Sequence, residues 1–203
     1  MRITVFGAAG AIGGRIVTEA LSRGHDVTPV TRRPAPGART GDASDIGDVI
    51  ALSAGQDLVI SATRPAPGSE PELVATTRTL LAGLRRTGVR LLLVGGAATL
   101  TDPATGLRVV DGPDFPAAWR PIALACAGQL GACRAETAVD WTYASPPALI
   151  EPGNRTGRYR LGADELVVDA GGVSAISMED FAVALLDEAE RPKHTRTRFT
   201  VGW

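Results

Sequence analysis

The chain has 203 residues, enough to bury a substantial core in a single domain, and its 21 basic and 22 acidic side chains leave a net charge of −1, which argues against a dedicated nucleic-acid surface. No apolar run approaches the roughly 20 residues that span a bilayer, and strand-like sequence begins at Arg2 without a leader pattern. The expectation is a soluble, cytoplasmic monomer or homodimer with no membrane or nucleic-acid partner. Cys126 and Cys133 stand seven apart in a helical stretch, a separation of about 10 Å that exceeds disulfide reach. Together with the distant His25 and His194 they form no metal-ligand cluster, and no metal is expected.

In chain order, short β-branched or leucine-rich runs alternate with helical patterns, which predicts βαβ units and a parallel sheet. Strands are expected at 2–6, 26–31, 58–62, 91–94 and 141–144. Ile12, Ile16, Val17 and Ala20 make an apolar stripe on a first helix that stops at Gly24. A shorter helix is predicted over 45–54. Ser69-Glu70-Pro71-Glu72 has the spacing of a capping box opening a third helix toward Gly88. Leu91-Leu92-Leu93-Val94 lacks alternation, as a central strand covered on both faces should. Helices follow at 122–137 and 178–190, the latter capped by Ser177. The predicted architecture is α/β: a Rossmann-type, doubly wound parallel sheet with helices on both faces, one domain over 1–203. Residues 145–177, where the alternation breaks down, are its expected substrate-side elaboration.

Gly7, Gly10 and Gly13 follow a strand and open a helix, the context in which a glycine motif signals dinucleotide binding. Gly7 permits the tight turn, Gly10 the approach of backbone to pyrophosphate, and Gly13 the packing of helix on strand, with phosphates held by amides at the helix start. The spacing is G-x-x-G-x-x-G, one residue longer than the dehydrogenase fingerprint. Where an NAD-selective site places a carboxylate after the second strand, this chain has Thr31-Arg32-Arg33. Guanidinium groups suit a 2′-phosphate, so Arg32 and then Arg33 are the predicted determinants of NADP(H) over NAD(H). Asp42 near the adenine and Ser61-Ala62-Thr63 near the ribose are further cofactor candidates, or ordinary loop chemistry.

Ligands in open parallel sheets settle in the loops beside the switch point, here 95–101 and 145–152. Gly95-Gly96-Ala97 removes side-chain bulk where a nicotinamide would lie, and Pro146 borders the same space. The catalytic candidates are Thr99, a hydroxyl donor or a turn former; Tyr143, directed into the pocket or, preferentially, into a helix interface; and Ser145, which has no histidine partner.

Taken together these residues resemble the NAD(P)H-flavin reductase group of atypical short-chain dehydrogenase/reductases, related to biliverdin reductase B and more distantly to NmrA-like proteins. The resemblance runs nearly end to end. It rests on the Gly7 to Gly13 loop, Leu91-Leu92-Leu93-Val94-Gly95-Gly96-Ala97, Asp111-Gly112-Pro113-Asp114-Phe115-Pro116, Asp140-Trp141-Thr142 with Ser145-Pro146-Pro147-Ala148, and Gly157-Arg158-Tyr159-Arg160-Leu161-Gly162. It implies that Gly7, Ala8, Gly10, Ala11, Ile12 and Arg32 contact the dinucleotide and that Gly95 to Ala97 lie near the nicotinamide. One feature departs from the wider superfamily. The Tyr-x-x-x-Lys acid/base pair is missing, because Tyr143 is followed four residues on by Pro147, Tyr159 by Ala163, and the sole lysine is Lys193. A flavin acceptor makes that intelligible, since hydride can pass directly between stacked rings. No second nucleotide motif appears, so flavin is expected as a diffusible substrate and not a prosthetic group. The leading reading is an NADPH-dependent reductase of a planar acceptor; the rivals are a non-catalytic NADP(H)-binding sensor of the NmrA-like kind and an epimerase-like enzyme.

Overall fold

The computed structural model describes residues 1–203, and ten strands and five α-helices organise them. In chain order these are β1 (Arg2–Phe6), α1 (Ala11–Ser22), β2 (Asp26–Thr31), β3 (Arg39–Thr40), α2 (Ile46–Ser53), β4 (Leu58–Ser61), α3 (Glu72–Thr87), β5 (Arg90–Val94), α4 (Arg120–Arg134), β6 (Trp141–Ser145), β7 (Leu149–Glu151), β8 (Arg160–Gly162), β9 (Ala175–Ser177), α5 (Met178–Glu190) and β10 (Thr197–Gly202). An eight-stranded sheet has the order β3-β2-β1-β4-β5-β6-β10-β8, parallel except for antiparallel β8 at one edge; β7 and β9 make a separate parallel pair. The order reverses direction between β1 and β4, so the doubly wound Rossmann-type topology and its switch point are present.

The leucine run at β5 illustrates why both faces are covered. Leu92 belongs to a core shared with Ile16 and Ala20 of α1 and Phe181 and Leu185 of α5, whereas Leu91 and Leu93 belong to a second core with Val49, Leu80, Leu84 and Leu130 of α2, α3 and α4. Successive side chains point to opposite faces, and here both faces are dry. The stripe of α1 falls on the first core, with Ile12 and Val17 packed against its edge.

Two local expectations need correction, and one strand was not expected. Ser69 does not cap α3: the helix starts at Glu72 after Pro71, with no side-chain cap, and the Ser69 and Glu70 carbonyls accept from Glu72 and Leu73 N–H at 3.0 and 3.1 Å. Glu70 precedes a proline and is disfavoured from the helical conformation that a cap at Ser69 would require of it. Its carboxylate accepts instead from Gly68 N–H. Helix α4 begins two residues before the expected 122 and stops short of 137, because Glu136 turns back to accept from Ala138 and Val139 N–H. The alternation Arg198-Phe199-Thr200-Val201 forms β10, unanticipated because it places an arginine inside. Arg198 is buried, its charge met by Asp164 and by Thr99 Oγ1 at 2.7 Å.

The elaboration after β6 is fastened by ion pairs and hydrogen bonds. Arg155 pairs with Glu19 of α1 at 2.7 Å, and Glu179 joins Arg15 of α1 to Gly153 N–H. Fully buried Asp180 accepts from Thr156, Gly157 and the Trp203 indole. Burial pushes this carboxyl up, but those donors outweigh it and hold it below the ordinary aspartate range. A depressed folded value contributes stability that is complete above the unfolded pKa of about 3.9 and lost as pH falls through the folded one. Asp180→Asn should therefore cost about 1–3 kcal/mol at neutral pH, and less in acid. Urea unfolding at neutral pH and near pH 3 checks this; an equal loss at both would show that the charge is not what matters.

Candidate dinucleotide and acceptor site

Because β1, β4, β5 and β6 are parallel, the segments after them emerge at one carboxyl edge, beginning with Gly7, Ala62, Gly95 and Pro146 respectively. The glycine loop is shaped by contact. Gly7 has φ +80°, and a Cβ there would stand 2.5 Å from Ala62 O; a Cβ on Gly13 would stand 2.1 Å from Gly7 O. Either substituent would force the β1 turn apart from its neighbours. Gly10 occupies the N-cap of α1 without a side-chain cap, and the first turn carries no acidic residue. The amides of Ala11, Ile12 and Gly13 are thus left for an external anion, as a pyrophosphate requires. The cradle fits the cofactor.

At the end of β2, Arg32 and Arg33 are exposed and neither guanidinium makes a hydrogen bond or ion pair. Asp42 is committed locally: its Oδ1 accepts from Ser44 N–H at 2.8 Å and Ser44 Oγ at 2.7 Å, and its N–H donates to Asp48. Ser61 is buried, its hydroxyl 3.1 Å from that of Thr63, with Ala62 between them backing Gly7.

Beyond β5 and β6, Tyr143 takes the favoured packing position against a helix. Glycine at 95 is required by the ring of Tyr143, 2.0 Å from a Cβ placed there, and a Cβ at 96 would meet the Cys126 side chain at 3.0 Å, a tight contact. Internal packing accounts for the missing bulk. Tyr143 lies in the core, accepting from Gly96 N–H (3.2 Å) and donating to Cys126 O (3.1 Å), with Gln129 Oε1 at 3.2 Å. Burial pushes its phenol well above the ordinary value. Tyr143→Phe should cost about 1–3 kcal/mol, measured by urea unfolding, by stranding Gly96 N–H and Gln129. Ser145, fully buried, donates to Gly96 O at 3.0 Å, and Pro146 is buried beside it. Thr99 faces Arg198. These contacts make Tyr143, Ser145 and Thr99 supports of the loop after β5.

Tyr159 and Lys193 line a separate cavity of about 160 Å³ with Asp187, Glu188 and Phe199, none of them on the carboxyl-edge loops. The Tyr159 phenol donates to Asp187 at 2.5 Å, and burial with that carboxylate keeps it protonated. A tyrosine so held is no acid/base partner for the lysine. Two exposed residues not singled out from sequence follow β4 and precede α4. Arg64, exposed after Thr63, forms no ion pair, and burial pushes the Cys126 thiol up to about 11. Trp119 is 60% exposed just before α4.

A model of the NAD(P)H-binding family matches residues 7–189, starting at the first glycine of the cradle. The chain belongs to this family. Similar solved structures include a Burkholderia pseudomallei protein described as a candidate exported protein, 42% identical over the whole of both chains with a TM-score of 0.92. A candidate epimerase from Bacteroides thetaiotaomicron is 38% identical, covering all of this chain and 96% of that one, with a TM-score of 0.89. A candidate NADH-flavin reductase from Streptococcus pneumoniae is 33% identical over all of this chain and 99% of that one, also at 0.89. Family membership gives the ligand class, NAD(P)H, and the uncapped start of α1 offers free amides to an anion.

Proposed function

We propose that this protein is an NADPH-dependent reductase that transfers hydride to a flavin or a similar planar, conjugated acceptor without a Tyr-Lys pair. The observation that carries the reading is the combination of a built dinucleotide cradle with the absence of any tyrosine four residues before a lysine. When bound, the nicotinamide supplies the hydride. The chain's task is to hold it. Amides of the α1 start grip the pyrophosphate, Arg32 and Arg33 offer free cations to a 2′-phosphate, and the backbone of Gly95 and Gly96, fixed from below by Tyr143, Cys126 and Ser145, leaves a smooth floor for a ring.

Support for the acceptor comes from the Streptococcus pneumoniae relative, whose description names NADH and flavin; support for NADPH here comes from the unpaired arginines. Flavin is a passing substrate in this reading, since the chain holds one nucleotide motif. The description of the Bacteroides thetaiotaomicron relative favours a second reading, an epimerase. The test is NADPH oxidation with FMN, riboflavin and a quinone in turn. Saturable, protein-dependent oxidation with at least one acceptor is expected; tight NADPH binding with no turnover on any of them would leave a sensor or an epimerase.

A further inference from the structure

Side chains of β10 alternate across the sheet. Phe199 and Val201 enter the core shared with α1 and α5, so Arg198 faces the opposite side, in register beside Tyr143 of β6. Its side chain is 4% exposed. A buried guanidinium is costly unless its charge and donors are met, and an apolar side chain of similar volume would fill the same space without that cost. Two partners from distant parts of the chain meet it. Nη1 donates to Thr99 Oγ1 at 2.7 Å, and Nε donates to Asp164 Oδ1 at 2.9 Å, where Nη2 joins it. Thr99 belongs to the loop after β5 and Asp164 to the elaboration after β6. The same segments also meet through backbone, with Thr101 N–H donating to Asp164 O and Leu166 N–H to Thr101 O, both at 2.9 Å. The near end of the loop is held by β6: Gly95 N–H donates to Ala144 O, Gly96 N–H to the Tyr143 phenol, and Gly96 O accepts from Ser145. Thus β6 fixes where the loop begins, and Arg198 of β10 fixes Thr99 to the elaboration.

We propose that Arg198 is a positioning residue for the reduction, locking the loop after β5 to the elaboration at Asp164 so that the backbone of Gly95 to Ala97 holds the nicotinamide in line with its acceptor. This role rests on the reductase reading and adds the residue that sets the alignment. Arg198 itself touches neither ring. A planar fork with several donors suits the bridging of two partners, and hydride transfer is sensitive to such a lock, because a misplacement of about 1 Å can cost about 100-fold in rate. Pyrophosphate binding depends instead on the amides at the start of α1, which Arg198 does not contact.

The experiment compares wild type with Arg198→Met, Thr99→Val and Thr99→Ser. Arg198→Met keeps an unbranched apolar stem and removes the donors; Asp164 is 70% exposed, so water hydrates the carboxylate left behind and the fold survives. Thr99→Val frees the loop while leaving the Arg198 to Asp164 pair, and Thr99→Ser restores the hydroxyl. Each protein is loaded with NADPH and read twice, by the emission lifetime of the bound nicotinamide without acceptor and by turnover with FMN. Arg198→Met and Thr99→Val should lose about tenfold in kcat with KM for NADPH within about twofold of wild type, and both should shorten the lifetime. Thr99→Ser should match wild type in both readouts. A residue that served only stability would lower the thermal midpoint and leave kcat and the lifetime of the folded protein unmoved. An unchanged lifetime in Arg198→Met, or an unchanged kcat where wild type is active, overturns the positioning role. A lifetime altered in Arg198→Met when wild type turns over no acceptor overturns the reductase reading and leaves the hold on the nicotinamide standing.

Discussion

Gly13→Ala is expected to lower NADPH affinity by about 2–4 kcal/mol, roughly 30- to 1,000-fold. The added Cβ would stand 2.1 Å from Gly7 O, backbone against backbone, so no side chain can rotate away. Relief requires α1 to move off β1. That displaces the amides of Ala11, Ile12 and Gly13 from the pyrophosphate and costs two or more charge-assisted hydrogen bonds. Gly10→Ala separates binding from folding, since its Cβ would meet Gly7 O at 3.3 Å, a contact that small shifts relieve. It should fold nearly as wild type and bind NADPH more weakly. Cofactor titration by nicotinamide fluorescence, alongside thermal unfolding, measures both; a Gly13→Ala protein that binds NADPH normally would contradict the cradle.

The second large effect falls on cofactor choice. Arg32→Asp should shift the ratio of NADPH to NADH efficiency by about 100-fold or more toward NADH. The variant removes a cation from the 2′-phosphate and puts a carboxylate where a free ribose 2′-hydroxyl can use it. Arg33→Ala should shift the same ratio by less. Both guanidinium groups are exposed and unpaired, so neither substitution breaks an internal contact, and the effect should appear in kcat/KM while stability stays within about 0.5 kcal/mol. A ratio unchanged in Arg32→Asp would place the 2′-phosphate elsewhere.

How far the sequence foretells this molecule depends on whether a residue type has one physical reading or several. Gly7 and Gly13 have one: backbone crowding at both, with a positive φ at Gly7, leaves no room for any side chain, and the spacing after a strand says so. The run 91–94 announces a doubly covered strand, which Leu91, Leu92 and Leu93 fill by facing two cores. Gly95 and Gly96 have two readings, room for a ligand or room for a neighbour, and only the position of Tyr143 and Cys126 decides between them. β10 escapes notice for the opposite reason. Arg198 reads as a surface residue until Asp164, far away in sequence, supplies its counter-charge. Asp42 likewise looks available to a ligand, yet Ser44, two residues on, already occupies its Oδ1.

Hydride transfer to flavin is read most directly by anaerobic mixing of the NADPH-loaded protein with FMN, following nicotinamide and flavin absorbance together. Stoichiometric, protein-dependent loss of both signals is expected, slowed when deuterium replaces the transferred hydrogen at nicotinamide C4. Full NADPH occupancy with both absorbances no faster than in the protein-free mixture would contradict it.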